Sequence, residues 1–157
     1  MSKIFGLFVV ALLLFGGVAA YELRYFSTGV FDQSSLPTDQ LYPMVIGGQQ
    51  IYVKIADTPA KQQQGLSGTA SLPQNQGMLF IFPSDGIYKF WMKDMNYPLD
   101  IIWLDSTAHV IYIAPDLAPN TYPQAFSSNT AARSVLEVHA GFAAQNNVQV
   151  GDVVHFQ

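Results

Sequence analysis

Short runs of strand-forming residues, each ended by turn-forming residues, are the dominant pattern of this sequence. Residues 51–55 alternate between aliphatic and more polar side chains, which is the period of a half-buried strand. The runs predicted as strands are residues 44–46, 49–56, 78–82, 88–93, 99–105, 109–114, 134–138 and 153–156. This series predicts a mostly β chain, folded as a compact single domain of barrel-like or sandwich-like architecture. The regular strand–helix alternation of a doubly wound parallel sheet is missing from the sequence.

Turn and cap residues place one hairpin and two short helices between these runs. Gly47 and Gly48 separate the first two runs and indicate a tight hairpin turn. Thr58 followed by Pro59 is a typical start of a helix, and Gly65 is expected to end it. A second short helix is predicted near residues 141–146.

Residues 4–20 form an apolar segment without a charged or polar side chain. Lys3 precedes it, while Glu22 and Arg24 follow, and positive charge before such a run favours translocation of everything after it. One interpretation is a signal peptide cleaved after Ala20; the other is an uncleaved transmembrane anchor, spanning about 25 Å as a helix. Both predict an extracytoplasmic domain, either anchored to the cytoplasmic membrane or secreted into the periplasm or medium.

The chain is therefore expected to have three parts. Residues 1–22 form the signal-anchor or signal peptide, and residues 23–43, which are polar and turn-prone, form a linker. Residues 44–157 form the β domain.

Charge and cysteine content exclude several classes of function. Seven basic and eleven acidic residues give a formal net charge of −4, and no Lys/Arg cluster indicates nucleic-acid binding. The chain has no cysteine, which excludes disulfides and thiolate metal sites, and its three histidines lack metal-ligand spacing. We therefore predict no metal and no cofactor.

The predicted strand at residues 88–93 carries the most informative surface side chains. Alternation places Trp91 on the same face as Lys89 and Lys93, opposite Phe90 and Met92. A tryptophan between two lysines is suited to stacking on a sugar ring or a small anionic ligand. The alternative is a tryptophan that packs under a loop while the lysines extend into water.

Two carboxylates in apolar strands are further candidates. Asp100 lies on the same face as two aliphatic residues, so it needs a partner: Lys93, or backbone N–H groups near the turn that includes Asp94. As a sharper alternative, Asp100 acts as a general base. Arg133 and Glu137 are four residues apart on one strand, and Glu137 with Asp100 would make a glycosidase-type pair if they lay close together.

Several short blocks occur in the order of a known family. They are Ala56-Asp57-Thr58, Gln64-Gly65-Leu66, Gly77-Met78-Leu79-Phe80, Phe90-Trp91-Met92-Lys93, Pro98-Leu99-Asp100-Ile101, Leu136-Glu137, Ala140-Gly141-Phe142 and Gly151-Asp152. In these blocks the chain resembles the family of domain of unknown function 192, with Asp94 where that family usually has asparagine and Ser67 where it usually has methionine. The resemblance implies a compact, mostly β fold with frequent export or membrane attachment, and it implies no activity.

The residues favour a binding or accessory module without catalysis, acting on a small-molecule or glycan ligand. The residues expected to contact the ligand are Trp91, Lys93, Asp94, Asp100, Arg133 and Glu137. One alternative is a cell-envelope hydrolase that uses Asp100 and Glu137 as catalytic residues. Another is a protein-interaction scaffold that contacts envelope partners through the long loop at residues 115–132. The membrane is the expected partner of the N-terminal segment.

Overall fold

The computed structural model describes residues 40–156, which fold around one curled sheet. The seven strands lie in the order β5-β4-β6-β3-β2-β1-β7. They are β1 (Tyr42–Ile46), β2 (Gln49–Ala56), β3 (Gln76–Gly86), β4 (Leu99–Leu104), β5 (Val110–Leu117), β6 (Ala132–His139) and β7 (His155–Phe156). The helices are α1 (Pro59–Gln64) and α2 (Phe142–Gln145), with a 3₁₀ turn at Pro119–Thr121. The mostly β prediction is confirmed, and the architecture is a curled half-barrel with two short helices rather than a sandwich.

Pairing in the sheet is antiparallel except between β2 and β3. Parallel neighbours need a crossover connection, and α1 with the loop after it provides one here. The sheet is therefore mixed, and the crossover between β2 and β3 places α1 on one face of it.

The hairpin and the start of α1 form as their residues predict. Gly47 and Gly48 have φ of +57° and +73°, so both occupy the left-handed region that a tight two-residue hairpin turn requires. The Thr58 side chain accepts a hydrogen bond from the backbone N–H of Lys61 at 3.3 Å, which caps the first turn of α1. Gly65, with φ of +49°, ends the helix.

Residues near the end of the described chain contact strands on both sides of the curled sheet. Val153 forms a β-bridge with His109 at the start of β5, and the next strand, β7, pairs with β1. The strand predicted at residues 153–156 is therefore divided: its first part contacts the β5 edge and only His155–Phe156 forms β7.

Side chains on the two faces of the sheet form two separate cores. The first core includes Met44, Ile51, Leu79, Ile102 and Leu136. The second core includes Leu66, Phe80, Met92, Ile101, Trp103 and Val135. All side chains of β4 are buried because both faces of this strand are covered.

The connection from β3 to β4, residues 87–98, crosses the second-core face of the sheet, and we call it the crossing segment. The strand β6 lies between β3 and β4, so a connection between them must pass over β6. The prediction of a strand at residues 88–93 is wrong. These residues lie across a face of the sheet, so their backbone cannot pair with the edge of a strand as a further member of the sheet. The crossing segment makes one isolated bridge, in which Phe90 and Phe126 exchange N–H···O bonds of 2.9 and 2.8 Å. The alternation is nevertheless correct, since Met92 is 1% exposed and Trp91 54% exposed.

The segment at residues 115–132 also differs from its prediction as a loop. Its first residues belong to β5, which continues to Leu117, and Phe126 holds the crossing segment in place. Among residues 40–156, no helix is long and apolar enough to cross a membrane. The predicted signal or anchor at residues 4–20 lies outside the described residues.

Candidate functional site

A cavity of about 220 Å³ lies in the second-core side of the domain, between the end of α1 and the crossing segment. Aromatic side chains form much of its lining: Phe80, Phe82, Tyr88, Phe90 and Trp91. Glu137, from β6, belongs to the same lining. The cavity follows from the topology, because the crossing segment passes directly over the strand that carries Glu137.

Glu137 is buried, and within residues 40–156 one of its oxygens has no partner. The residue is 6% exposed, and its Oε2 atom makes no hydrogen bond in the part of the chain that the structure describes. Its direct neighbours across the sheet are Met78 and Ile101, which offer no polar side chain. Burial raises the pKa of Glu137 from its ordinary value of 4.5 to about 8. The carboxyl group is therefore mainly protonated at neutral pH, and it offers an O–H donor as well as an acceptor.

The aromatic lining is held in place by contacts between the rings. Phe82 and Tyr88 are stacked with their centroids 3.5 Å apart, and Phe80 meets Phe90 edge to face at 4.8 Å. The indole N–H of Trp103 donates to the carbonyl of Tyr88 at 2.9 Å. The cavity wall is thus held in place by contacts within the protein.

A short hydrogen-bond chain lies near Glu137 on the same side of the domain. The hydroxyl of Thr69 donates to the carbonyl of Leu66 at 2.6 Å, so the Tyr97 hydroxyl must be the donor in its 2.6 Å bond with Thr69. Burial raises the pKa of Tyr97, its hydrogen bond with Thr69 lowers it, and the charge of Glu137 adds to the rise. Tyr97 therefore stays a neutral phenol across the physiological range.

Trp91, Lys93 and Asp94 lie together at the surface. All three line an open groove beside α1 with a volume of about 490 Å³. Trp91 also lines the cavity to which Glu137 belongs, so the groove and the cavity share this residue in their walls. The predicted surface of Trp91 and Lys93 exists as a groove, and its side chains are exposed.

Asp100 lies away from this cavity and is satisfied by backbone groups. It is fully buried and accepts hydrogen bonds from the N–H groups of Asp116 at 2.9 Å, Gly141 at 3.1 Å and Ala143 at 2.8 Å. The structure shows no contact with Lys93, which was one of the two expected partners, and shows the backbone arrangement instead. Both carboxylate oxygens are occupied, so Asp100 ties the start of α2 to a bulge in β5.

The register of β4 and β6 separates Asp100 from Glu137. Asp100 is the cross-strand partner of Val138, and Glu137 is the partner of Ile101. Cross-strand partners share a face and neighbours along a strand alternate, so the two carboxylates point to opposite faces of the sheet. The condition for the alternative hydrolase interpretation, that the two carboxylates lie together as a glycosidase-type pair, is therefore not met.

Arg133 also lies apart from the cavity. Its Nε atom donates to Asp85 at 2.6 Å in an ion pair whose side chains are 41% and 44% exposed. It shares a strand with Glu137 but does not line the cavity. Of the six predicted ligand residues, Trp91 and Glu137 line this cavity.

Sequence reasoning missed the aromatic lining because Phe80, Phe90 and Tyr88 look like ordinary core residues. The available signal was the run Val135-Leu136-Glu137-Val138, in which a carboxylate interrupts an apolar strand. Among residues 40–156, no group of three or more His, Asp or Glu side chains comes together as a metal site would require.

Comparisons with known proteins agree with the fold. A solved structure of a protein of unknown function from Novosphingobium aromaticivorans is 28% identical, covers 73% of this chain and 84% of its own, and has a TM-score of 0.70. A protein from Sinorhizobium meliloti, provisionally named a transcription regulator, is 24% identical over 74% of this chain and 92% of its own, with a TM-score of 0.68. No match to a curated protein was found at a significant level. The DUF192 profile, described as uncharacterized ACR, matches residues 43–156, and the chain belongs to this family.

Proposed function

We propose that this domain is a binding module that takes a small, largely apolar ligand into the cavity beside Glu137. The observation that carries the proposal is that Glu137 lines a cavity while its buried Oε2 atom has no hydrogen-bond partner among residues 40–156. A buried polar group without a hydrogen bond costs about 1–3 kcal/mol. An apolar residue at the same position would make the fold more stable. A buried polar group that is retained despite this cost therefore indicates a functional role.

The size and lining of the cavity support the same proposal. An apolar protein cavity of about 150 Å³ is large enough to hold benzene, and this one measures about 220 Å³. Ligand pockets are mostly apolar and contain a few polar groups that fix the orientation of the ligand. Here the rings supply apolar contact, and the Glu137 carboxyl group supplies the orienting hydrogen bond.

A fragment screen of the full chain tests this function. Compounds of about six to ten heavy atoms that carry one polar group are expected to raise the Tm. Trp91→Ala should weaken binding of the best compound by about tenfold or more, because a tryptophan at a pocket mouth supplies a large contact area. Tyr122→Ala is the matched control, since this aromatic residue is 47% exposed and lies outside the cavity. A screen without any stabilising compound, or equal weakening by both variants, would contradict the proposal.

We also propose that the domain works outside the cytoplasm. The support is the sequence of residues 4–20, which is apolar throughout and follows Lys3. Alkaline phosphatase fused after the domain should be active, because this reporter folds only after export, and a green fluorescent protein fusion should be dark. Leu13→Arg, a charge in the middle of the segment, should reverse both results. Fluorescence from the unmodified fusion would exclude export.

A further inference from the structure

We propose that the ligand of this cavity is a small organic ammonium ion, held by the carboxylate of Glu137 and by the faces of the surrounding aromatic rings. This inference rests on the binding function proposed above and specifies the chemical class of the ligand.

The first argument is the missing counter-ion. Among the ion pairs of residues 40–156, none includes Glu137. A buried carboxylate is costly unless it is paired, and an unpaired one holds its proton instead. A cationic group in the cavity would supply the positive charge that residues 40–156 do not place beside Oε2.

The second argument is the lining itself. Aromatic rings attract cations through their negative faces, and proteins recognise quaternary ammonium ligands with cages of aromatic residues. Phe90, Tyr88 and Trp91 line the same space as Glu137. An anionic ligand would find the opposite arrangement, because it would face these rings and a carboxyl group together. The one lysine of the lining, Lys89, is exposed, so solvent screens its charge.

The charged and titratable groups around Glu137 do not neutralise its carboxylate. Tyr97 and Tyr88 belong to the crossing segment, and Lys89 lies at its exposed side. From α1, Lys61 pairs with Asp57 at 2.9 Å. Two further groups lie on neighbouring positions of the sheet. Lys54 on β2 is separated from Glu137 by Met78 on β3, and His139 lies two residues after Glu137 on β6. None of these groups makes an ion pair with Glu137 in the described chain.

Binding of the cation would displace the proton that Glu137 carries. The carboxyl group loses its proton to solvent and the ammonium ion takes its place, so the charge inside the cavity stays balanced. Because burial raises the pKa of Glu137 to about 8, proton release accompanies binding at neutral pH. The affinity should therefore rise by about tenfold per pH unit up to about pH 8 and then level off.

Isothermal titration calorimetry on the full chain tests this inference with matched probes. Choline and n-butylammonium are the cations, and 3,3-dimethylbutan-1-ol and butan-1-ol are their neutral analogues. We expect at least one cation to bind, its Kd to fall by about tenfold per unit between about pH 6 and about pH 8, and about one proton to be released. The neutral analogue should bind at least about tenfold more weakly at about pH 8. Glu137→Gln should remove the pH dependence and the proton release, while Asp85→Asn, which removes an exposed carboxylate, should keep both.

The outcomes separate this inference from the function on which it rests. Neutral compounds that bind as tightly as the cations, with full retention in Glu137→Gln, would overturn the ammonium inference and leave a binding cavity. Failure of every probe and of the fragment screen would overturn both.

Discussion

The free energy of unfolding of the wild-type chain is expected to fall by on the order of 4 kcal/mol between about pH 5 and about pH 8, relative to Glu137→Gln. The pKa of Glu137 is raised from 4.5 in the unfolded chain to about 8 in the folded one, because its side chain is buried beside apolar residues. In this window the unfolded state has released the proton and the folded state still holds it. The contribution of protonated Glu137 to the free energy of unfolding is therefore complete below the lower pKa. Between the two pKa values it falls by about 1.4 kcal/mol per pH unit, and above the higher pKa it levels off.

Urea denaturation of both proteins at several pH values measures this difference. Glu137→Gln keeps the size and neutral state of the protonated side chain, so its stability should lack this fall. Asp85→Asn removes a carboxylate that is 44% exposed and should retain the wild-type slope. Parallel curves for wild type and Glu137→Gln would show that Glu137 does not hold its proton inside the cavity.

Asp100→Ala is expected to destabilise the domain by about 3–5 kcal/mol. The carboxylate of Asp100 accepts three backbone N–H bonds, and its removal leaves the buried N–H of Ala143 and two partly buried N–H groups without this acceptor. One donor, the N–H of Asp116, lies in the bulge of β5, where the ladder to β4 shifts register. The other two belong to Gly141 and Ala143 at the start of α2, which has no side-chain cap from its own residues.

The matched control is Asp105→Ala, because Asp105 also accepts backbone N–H bonds, from Thr107 at 2.8 Å and His109 at 2.9 Å. Its side chain is 34% exposed, so water can replace the lost acceptor and the cost should stay near about 1 kcal/mol. The measurement is the midpoint of urea denaturation at neutral pH. An Asp100→Ala variant as stable as Asp105→Ala would remove Asp100 from the structural role that its bonds indicate.

Local signals in the sequence were enough to predict the elements that depend on neighbouring residues. Gly47 and Gly48 give a turn of fixed geometry, and Thr58 with Pro59 gives a helix start, because both effects act within a few residues. The mostly β class followed from the same kind of signal. The prediction for residues 88–93 failed because a strand also needs a free partner edge, and β6 occupies the position between β3 and β4.

In the candidate site too, some features are set by neighbouring residues and others by residues far apart in the sequence. Alternation correctly placed Trp91 at the surface, and the apolar neighbours of Glu137 marked it as unusual. Whether Asp100 and Glu137 share a face depends on the register between two strands more than thirty residues apart, which no local pattern sets. The cavity itself arises from the path of the crossing segment over β6, and that path is a property of the whole sheet.

The wall of the cavity is attached to the domain by scattered hydrogen bonds rather than by a ladder. Phe90 bonds to Phe126, the carbonyl of Tyr88 accepts from Trp103, and the carbonyl of Lys93 accepts from Ser67. A segment held in this way opens locally at a lower free energy than a central strand does. Entry and exit of a ligand would then follow the opening of this wall. The residence time of such a ligand would be tuned by residues such as Phe126, which lies outside the cavity lining.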